Sequence, residues 1–158
     1  MSEAKTILDY VGQIVPELKH CKLLGITVKD IDVAKLKLEL PYSESIIGNP
    51  ETGVIHGGAL TTLMDTACGF AAICALVDNP GICPTLDLRI DYMRPADPGK
   101  AVIGDAEAYR ISQNVIFARG IAYHEGDEGN PIAHCTASFM RLDSPVTGGS
   151  FPDTHTKE

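Results

Sequence analysis

The stretch that decides the fold runs from residue 54 to residue 77 and has the sequence VIHGGALTTLMDTACGFAAICALV. It has no proline, its one formally charged side chain is Asp65, and its length allows about six helical turns. Because nearly every side of it is apolar or small, the pattern predicts a long helix buried on most of its faces. A buried carboxylate is costly unless it is hydrogen-bonded, so Asp65 has either a structural or a chemical role.

Composition limits the possible classes of function. The chain has 158 residues and a formal net charge of -8, which suits one domain and disfavours nucleic acid or membrane surfaces as partners. Its five cysteines form no Cys-x-x-Cys pair and follow no secretory signal. We therefore expect a soluble cytoplasmic protein with reduced thiols.

The first 24 residues are predicted to be helical. Apolar residues recur at steps of three and four between residues 7 and 18, the spacing of a helix that packs by one face. Pro16 is expected to kink or divide this helix, and Gly25 is expected to end it.

Six stretches have the alternating pattern of half-buried strands. The first two are expected to form a hairpin with its turn at residues 30–32, and the short connections between the last four favour a consecutive antiparallel meander. The chain between the hairpin and the helix, residues 41–53, is predicted to be a loop. The six predicted strands are residues 26–29, 35–40, 85–92, 102–111, 115–124 and 132–142.

This order of elements predicts an α+β domain over residues 25–142. One face of a six-stranded antiparallel sheet must be covered, and the uncharged helix can cover it if the sheet curls around it. A helix wrapped on one side leaves apolar surface for a second subunit, so we expect a homodimer related by a two-fold axis. Residues 143–158 contain little to bury and are predicted to be a flexible tail.

A set of small and polar residues has a distinctive spacing: Asn49, His56, Gly57, Gly58, Asp65 and Thr85. Over residues 25–142 this pattern resembles hotdog-fold acyl-CoA thioesterases, most closely the PaaI-type subgroup of phenylacetate degradation. The resemblance implies a six-stranded antiparallel sheet curled around one long helix, here with an extra N-terminal helix. It also implies hydrolysis of an acyl-CoA to a carboxylic acid and coenzyme A, with no metal and no cofactor.

The resemblance also implies a role for each site residue. Asp65 is the nucleophile or the general base, and the backbone N–H of Gly57 polarises the thioester carbonyl. Asn49 helps to place substrate or water, Thr85 holds the water, and His56 shapes the turn before the helix.

Geometry adds a separate argument about assembly. Gly57 and Asp65 are eight residues apart in the sequence, which corresponds to roughly 12 Å along a helix. That distance is too long for both to act on one carbonyl group, whereas Gly57 of one subunit can face Asp65 of another across a two-fold axis. Gly58, like Gly57, has no Cβ and allows a close approach. We therefore predict composite sites in a homodimer, which can pair further into a dimer of dimers.

Simpler interpretations remain open for several of these residues. Asp65 could be a structural carboxylate satisfied by Thr61, Thr62 or a backbone N–H. Asn49 could form an Asx-turn, and Thr85 could be an ordinary strand threonine. Met64 and Arg89 are the residues expected to contact the substrate.

Two other functions are also compatible with the sequence. One is a non-catalytic module that binds acyl-CoA or an acyl-carrier protein without turnover. The other is a hotdog-type enoyl-CoA hydratase or dehydratase, which requires a different acid and base pair.

Overall fold

The structure is a computed structural model that describes residues 3–79 and 81–142; the predicted tail, residues 143–158, lies outside this part. The helices within it are α1 (Glu3–Ile14), α2 (Lys19–Leu24) and α3 (Gly57–Cys74). The strands are β1 (Thr27–Asp32), β2 (Lys35–Leu40), β3 (Ile47–Asn49), β4 (Val54–Ile55), β5 (Thr85–Tyr92), β6 (Val102–Ile111), β7 (Val115–Tyr123) and β8 (Ala133–Met140).

The N-terminal helical segment is divided where proline occurs. Pro16 lies in a 3-10 turn, Val15–Glu17, that separates α1 from α2. Gly25, at φ 73°, closes α2 in the left-handed conformation that glycine adopts without steric cost. Both predictions for this segment are confirmed.

The main sheet has six antiparallel strands in the order β1-β2-β6-β7-β8-β5. The predicted meander is correct for β6, β7 and β8, but it is wrong for β5, which pairs with β8 at the far edge. The longer connection at residues 93–101 allows β5 and β6 to lie in separate places, so β2 pairs with β6 instead.

The first hairpin turns two residues later than predicted. Asp32 pairs with Lys35, so the turn consists of Val33 and Ala34, and Ala34 has a positive φ of 61°. The acidic residues of the expected turn, Asp30 and Asp32, lie in β1, an edge strand on which both are exposed. The predicted loop before α3 also contains regular structure, because β3 and β4 pair within it.

The sheet curls around α3, as the hotdog fold requires. The helix packs against β2, β5, β6, β7 and β8. It begins at Gly57 rather than at Val54, because Val54 belongs to β4. Side chains such as Leu63 are fully buried beneath the sheet, and each such burial contributes about 1.5–3 kcal/mol. The α+β hotdog fold with an added N-terminal helix is confirmed.

The face of α3 opposite the sheet is only partly covered. The expected burial on most sides is therefore correct for the last turn, residues 71–74, and elsewhere for the sheet side. By length and composition α3 could cross a membrane, but 56% of it is buried inside this fold. The residues of the open face recur at helical spacing: Gly58, Thr61, Thr62, Asp65, Thr66, Gly69 and Phe70.

Candidate active site

The start of α3 presents a backbone N–H without an acceptor. His56 caps the helix from an extended conformation, φ -62° and ψ 133°, and its Nδ1 accepts the N–H of Gly58 at 2.8 Å. The N–H of Gly57 has no hydrogen-bond partner within residues 3–79 and 81–142. A free N–H at the positive end of a helix dipole is suited to hold a developing negative charge.

Tyr92, at the end of β5, holds this helix start in place. Its hydroxyl donates to the carbonyl oxygen of Gly57 at 2.8 Å and lies 2.9 Å from the hydroxyl of Thr61. No role for Tyr92 was predicted from the sequence. The sequence feature that could have indicated a role is an aromatic residue with a hydroxyl group at the end of an alternating strand.

Asp65 is half-buried on the open face of α3, not enclosed as the sequence suggested. Its Oδ1 accepts a hydrogen bond from the hydroxyl of Thr85 at 2.9 Å. The hydroxyls of Thr61 and Thr62 instead donate to helix carbonyl groups four residues earlier. The structure thus brings Asp65 together with Thr85, and the simpler proposal of local threonine partners is wrong.

Asn49 forms the Asx-turn that its sequence allowed. Its Oδ1 accepts the N–H of Glu51 at 2.9 Å, and its carbonyl oxygen accepts the N–H of Gly53 at 2.8 Å. Among the described residues it contacts neither Asp65 nor the N–H of Gly57. Its expected role in placing substrate or water stays a prediction.

The two expected substrate contacts lie elsewhere in this chain. Met64 is 0% exposed and fits under the sheet against Gly104 and Gly120, and its expected contact with substrate stays a prediction. Arg89 is exposed and forms an ion pair with Asp91 at 3.0 Å. It lies on the outer side of β5, away from α3, and its role stays a prediction.

The cysteines are buried and unpaired by disulfides. A hydrogen bond to Cys135 and burial raise the pKa of the Cys68 thiol, and burial raises the pKa of Cys74 to about 12. These thiols are protonated at neutral pH and are poor nucleophiles. No group of three metal-ligating side chains occurs in the part of the chain that the structure describes.

Open space lies beside both functional groups of α3. A cavity of about 270 Å³ borders the helix start and includes Gly57, Leu60 and Tyr92 in its lining. A second cavity, of about 280 Å³, borders Asp65 and Thr85. Within one chain these two places are separated by two turns of helix.

Comparison with known sequences finds similarity to thioesterases. The family model described as "Thioesterase superfamily" matches residues 52–129. A protein of Halobacterium salinarum is 36% identical over 94 residues, which are 58% of this chain and 61% of that protein. The medium/long-chain acyl-CoA thioesterase YigI of Salmonella typhimurium is 26% identical over 87% of this chain and 95% of its own length. The chain thus spans less than two thirds of the first relative and nearly all of the second.

Solved structures agree on the fold. A protein of Pseudomonas aeruginosa is 56% identical, with a TM-score of 0.76 over 86% of this chain and 99% of that one. The PaaI protein of the Escherichia coli phenylacetic acid degradation operon has a TM-score of 0.77 over 92% of this chain and 97% of its own, at 17% identity. At that identity the second likeness concerns the fold alone.

Proposed function

We propose that the chain is an acyl-CoA thioesterase, because its residues 52–129 match the model of the thioesterase superfamily and because it shares the hotdog fold of PaaI. The observation that carries the proposal is the open face of α3, with a free N–H at its start and a hydrogen-bonded carboxylate two turns later. An acyl-CoA is hydrolysed to a carboxylic acid and coenzyme A. Neither a metal ion nor a cofactor is required for this reaction.

Each group on α3 suits one part of thioester hydrolysis. Negative charge develops on the former carbonyl oxygen, and the N–H of Gly57 can donate a hydrogen bond to that oxygen. Asp65 either removes a proton from water as the water oxygen bonds to the acyl carbon, or attacks that carbon itself to give an anhydride that water then opens. In both routes the carbon–sulfur bond breaks and the thiolate sulfur receives a proton. Thr85 holds the carboxylate of Asp65 in position.

The separation of these groups supports a composite site. Eight residues of helix place Gly57 and Asp65 roughly 12 Å apart, so one thioester cannot contact both in one chain. If two α3 helices run antiparallel across a two-fold axis, Asp65 faces Gly57 of the partner subunit, and two equivalent sites result.

An exposed sheet edge supports the same assembly. β5 is an edge strand with unpaired backbone groups along its outer side. Leu86 on this strand is 50% exposed, and Met93 just after it is 62% exposed. A sheet edge with exposed apolar side chains near both ends, next to the open face of α3, is suited to pairing with a second copy of the chain.

Replacing Asp65 by Asn tests the proposed activity. We expect turnover to fall about 10²- to 10⁴-fold, because the variant cannot act as base or nucleophile. Release of free thiol from a panel of acyl-CoA substrates measures it. Asp9→Asn, which changes an exposed carboxylate on α1, is the matched control and keeps full activity.

The same panel separates the alternative functions. Undiminished turnover by a folded Asp65→Asn protein contradicts the proposal. Saturable binding of acyl-CoA by the unmodified protein without thiol release indicates a binding module instead. Hydration of an enoyl-CoA without thiol release indicates a hydratase.

A further inference from the structure

The cavity beside Asp65 is formed jointly by the N-terminal segment and α3. Its volume is about 280 Å³. One wall is contributed by Tyr10, Ile14 and Leu18, and the opposite wall by the open face of α3 from Asp65 to Ile73. From Asp65 to Ile73 the helix rises by roughly 12 Å.

The N-terminal wall is firmly anchored. Ile7, Val11 and Val15 are at most 1% exposed and pack in the core. Tyr10 and Ile14 lie on α1, three positions after Ile7 and Val11, and Leu18 lies in the link that precedes α2. One set of side chains thus fixes the segment in the core, and the adjacent set lines the cavity. The cavity is therefore a built part of the fold and not a gap left by a loose segment.

The chemistry of the lining changes from one end to the other. Asp65 and Thr85 provide the polar end, whereas Phe70, Ile73 and Phe139 provide apolar surface farther along. Gly69 lies between these side chains, and its lack of a Cβ leaves room against the ring of Phe139.

The residues that line this cavity are unsuited to the coenzyme A part of the substrate. No Lys, Arg or His is among the lining residues, and the phosphates of coenzyme A need such partners or free N–H groups. An apolar cavity that begins at the reacting carboxylate suits the hydrocarbon end of the substrate instead.

We propose that this cavity binds the alkyl chain of a medium-chain aliphatic acyl group, with the N-terminal segment setting its length. A cavity of about 150 Å³ binds benzene, so in proportion about 280 Å³ holds roughly eleven carbon atoms. The inference rests on the proposed thioesterase function and extends it to the substrate class. With the carbonyl carbon at Asp65, the chain extends along α3 towards Ile73.

Substitution of Leu18 by Trp tests this assignment by filling the cavity from the N-terminal wall. The matched control is Leu23→Trp, because Leu23 belongs to the same segment, is 78% exposed and does not line the cavity. For Leu18→Trp we expect kcat/KM with decanoyl-CoA to fall about tenfold or more, and kcat/KM with acetyl-CoA to stay within about twofold. Leu23→Trp should match the unmodified protein on both substrates.

A second variant keeps the test decisive if Leu18→Trp does not fold. Leu18→Ala lengthens the cavity and should move the preferred substrate from decanoyl-CoA towards dodecanoyl-CoA or longer. An equal change for all chain lengths in either variant, or no change with decanoyl-CoA, overturns the assignment while the thioesterase function stands. If the unmodified protein releases no thiol from any acyl-CoA, the proposed function fails, and this inference fails with it.

Discussion

Replacing Gly57 by proline removes one N–H and leaves the start of α3 otherwise compatible with the new residue. Proline is favoured at the first position of a helix, where its fixed φ suits the backbone. The residue before a proline must be extended, and His56 already has φ -62° and ψ 133°. The substitution therefore deletes the proposed oxyanion donor with little effect on helix formation.

The expected magnitude follows from the loss of a single donor. Removal of one oxyanion donor costs about 2.7–4 kcal/mol of transition-state stabilisation, or about 10²- to 10³-fold in kcat. A Cβ at Gly57 also lies 3.2 Å from the hydroxyl oxygen of Tyr92. Because Tyr92 is 50% exposed, its ring can shift, and the crowding effect should be small.

Gly57→Ala separates the two effects. Alanine introduces the same Cβ next to Tyr92 but keeps the N–H, so we expect it to retain most of the activity. Steady-state thiol release gives kcat and KM for both variants, and thermal unfolding verifies that each is folded. Equal kcat values for the proline and alanine variants would refute the role of this N–H.

Two further predictions concern the carboxylate and the sheet. Thr85→Val removes the 2.9 Å hydrogen bond to Asp65 and should lower kcat about 10- to 100-fold, as expected for a bond to a charged group. Thr85→Ser keeps the hydroxyl and should stay near full activity. Equal kcat values for the two variants would contradict the positioning role of Thr85. Gly120→Ala places a Cβ 2.7 Å from the carbonyl oxygen of Asp105 and should lower the free energy of unfolding by about 1–3 kcal/mol in urea titrations. The control is Gly129→Ala, whose Cβ meets no atom within 4 Å and which should change the free energy of unfolding by less than about 0.5 kcal/mol.

Local sequence signals predicted the positions of most elements. Pro16 and Gly25 mark the division and the end of the N-terminal helices because each has a direct backbone consequence. Alternation located β5, β6, β7 and β8 to within two residues at each end. These features depend on residues that are neighbours in the chain, so they can be predicted from the sequence.

Features that depend on distant contacts were harder to predict. The place of β5 at the sheet edge depends on which strand it meets, and alternation does not encode a partner. The turn at Ala34 requires a positive φ, and the turn has no glycine or asparagine that would indicate it.

In the candidate site, too, some contacts could be predicted from the sequence and others could not. The motif spacing identified Asp65 and Thr85, and the structure joins them by a hydrogen bond. The contact of Tyr92 with Gly57 links residues 35 positions apart, and Met64 lies fully buried under the sheet and not on the open face of α3. Both depend on the packing of the sheet on the helix, which residue types alone do not specify.

The composite site is tested most directly by mixing two inactive subunits. Dimers that combine a Gly57→Pro subunit with an Asp65→Asn subunit contain one site with both defects and one site with neither. Such dimers, purified by two different affinity tags and assayed for thiol release, should recover about half the activity of the unmodified dimer. If the mixed dimers are folded and as inactive as either parent, each active site lies within a single chain and the composite site is wrong.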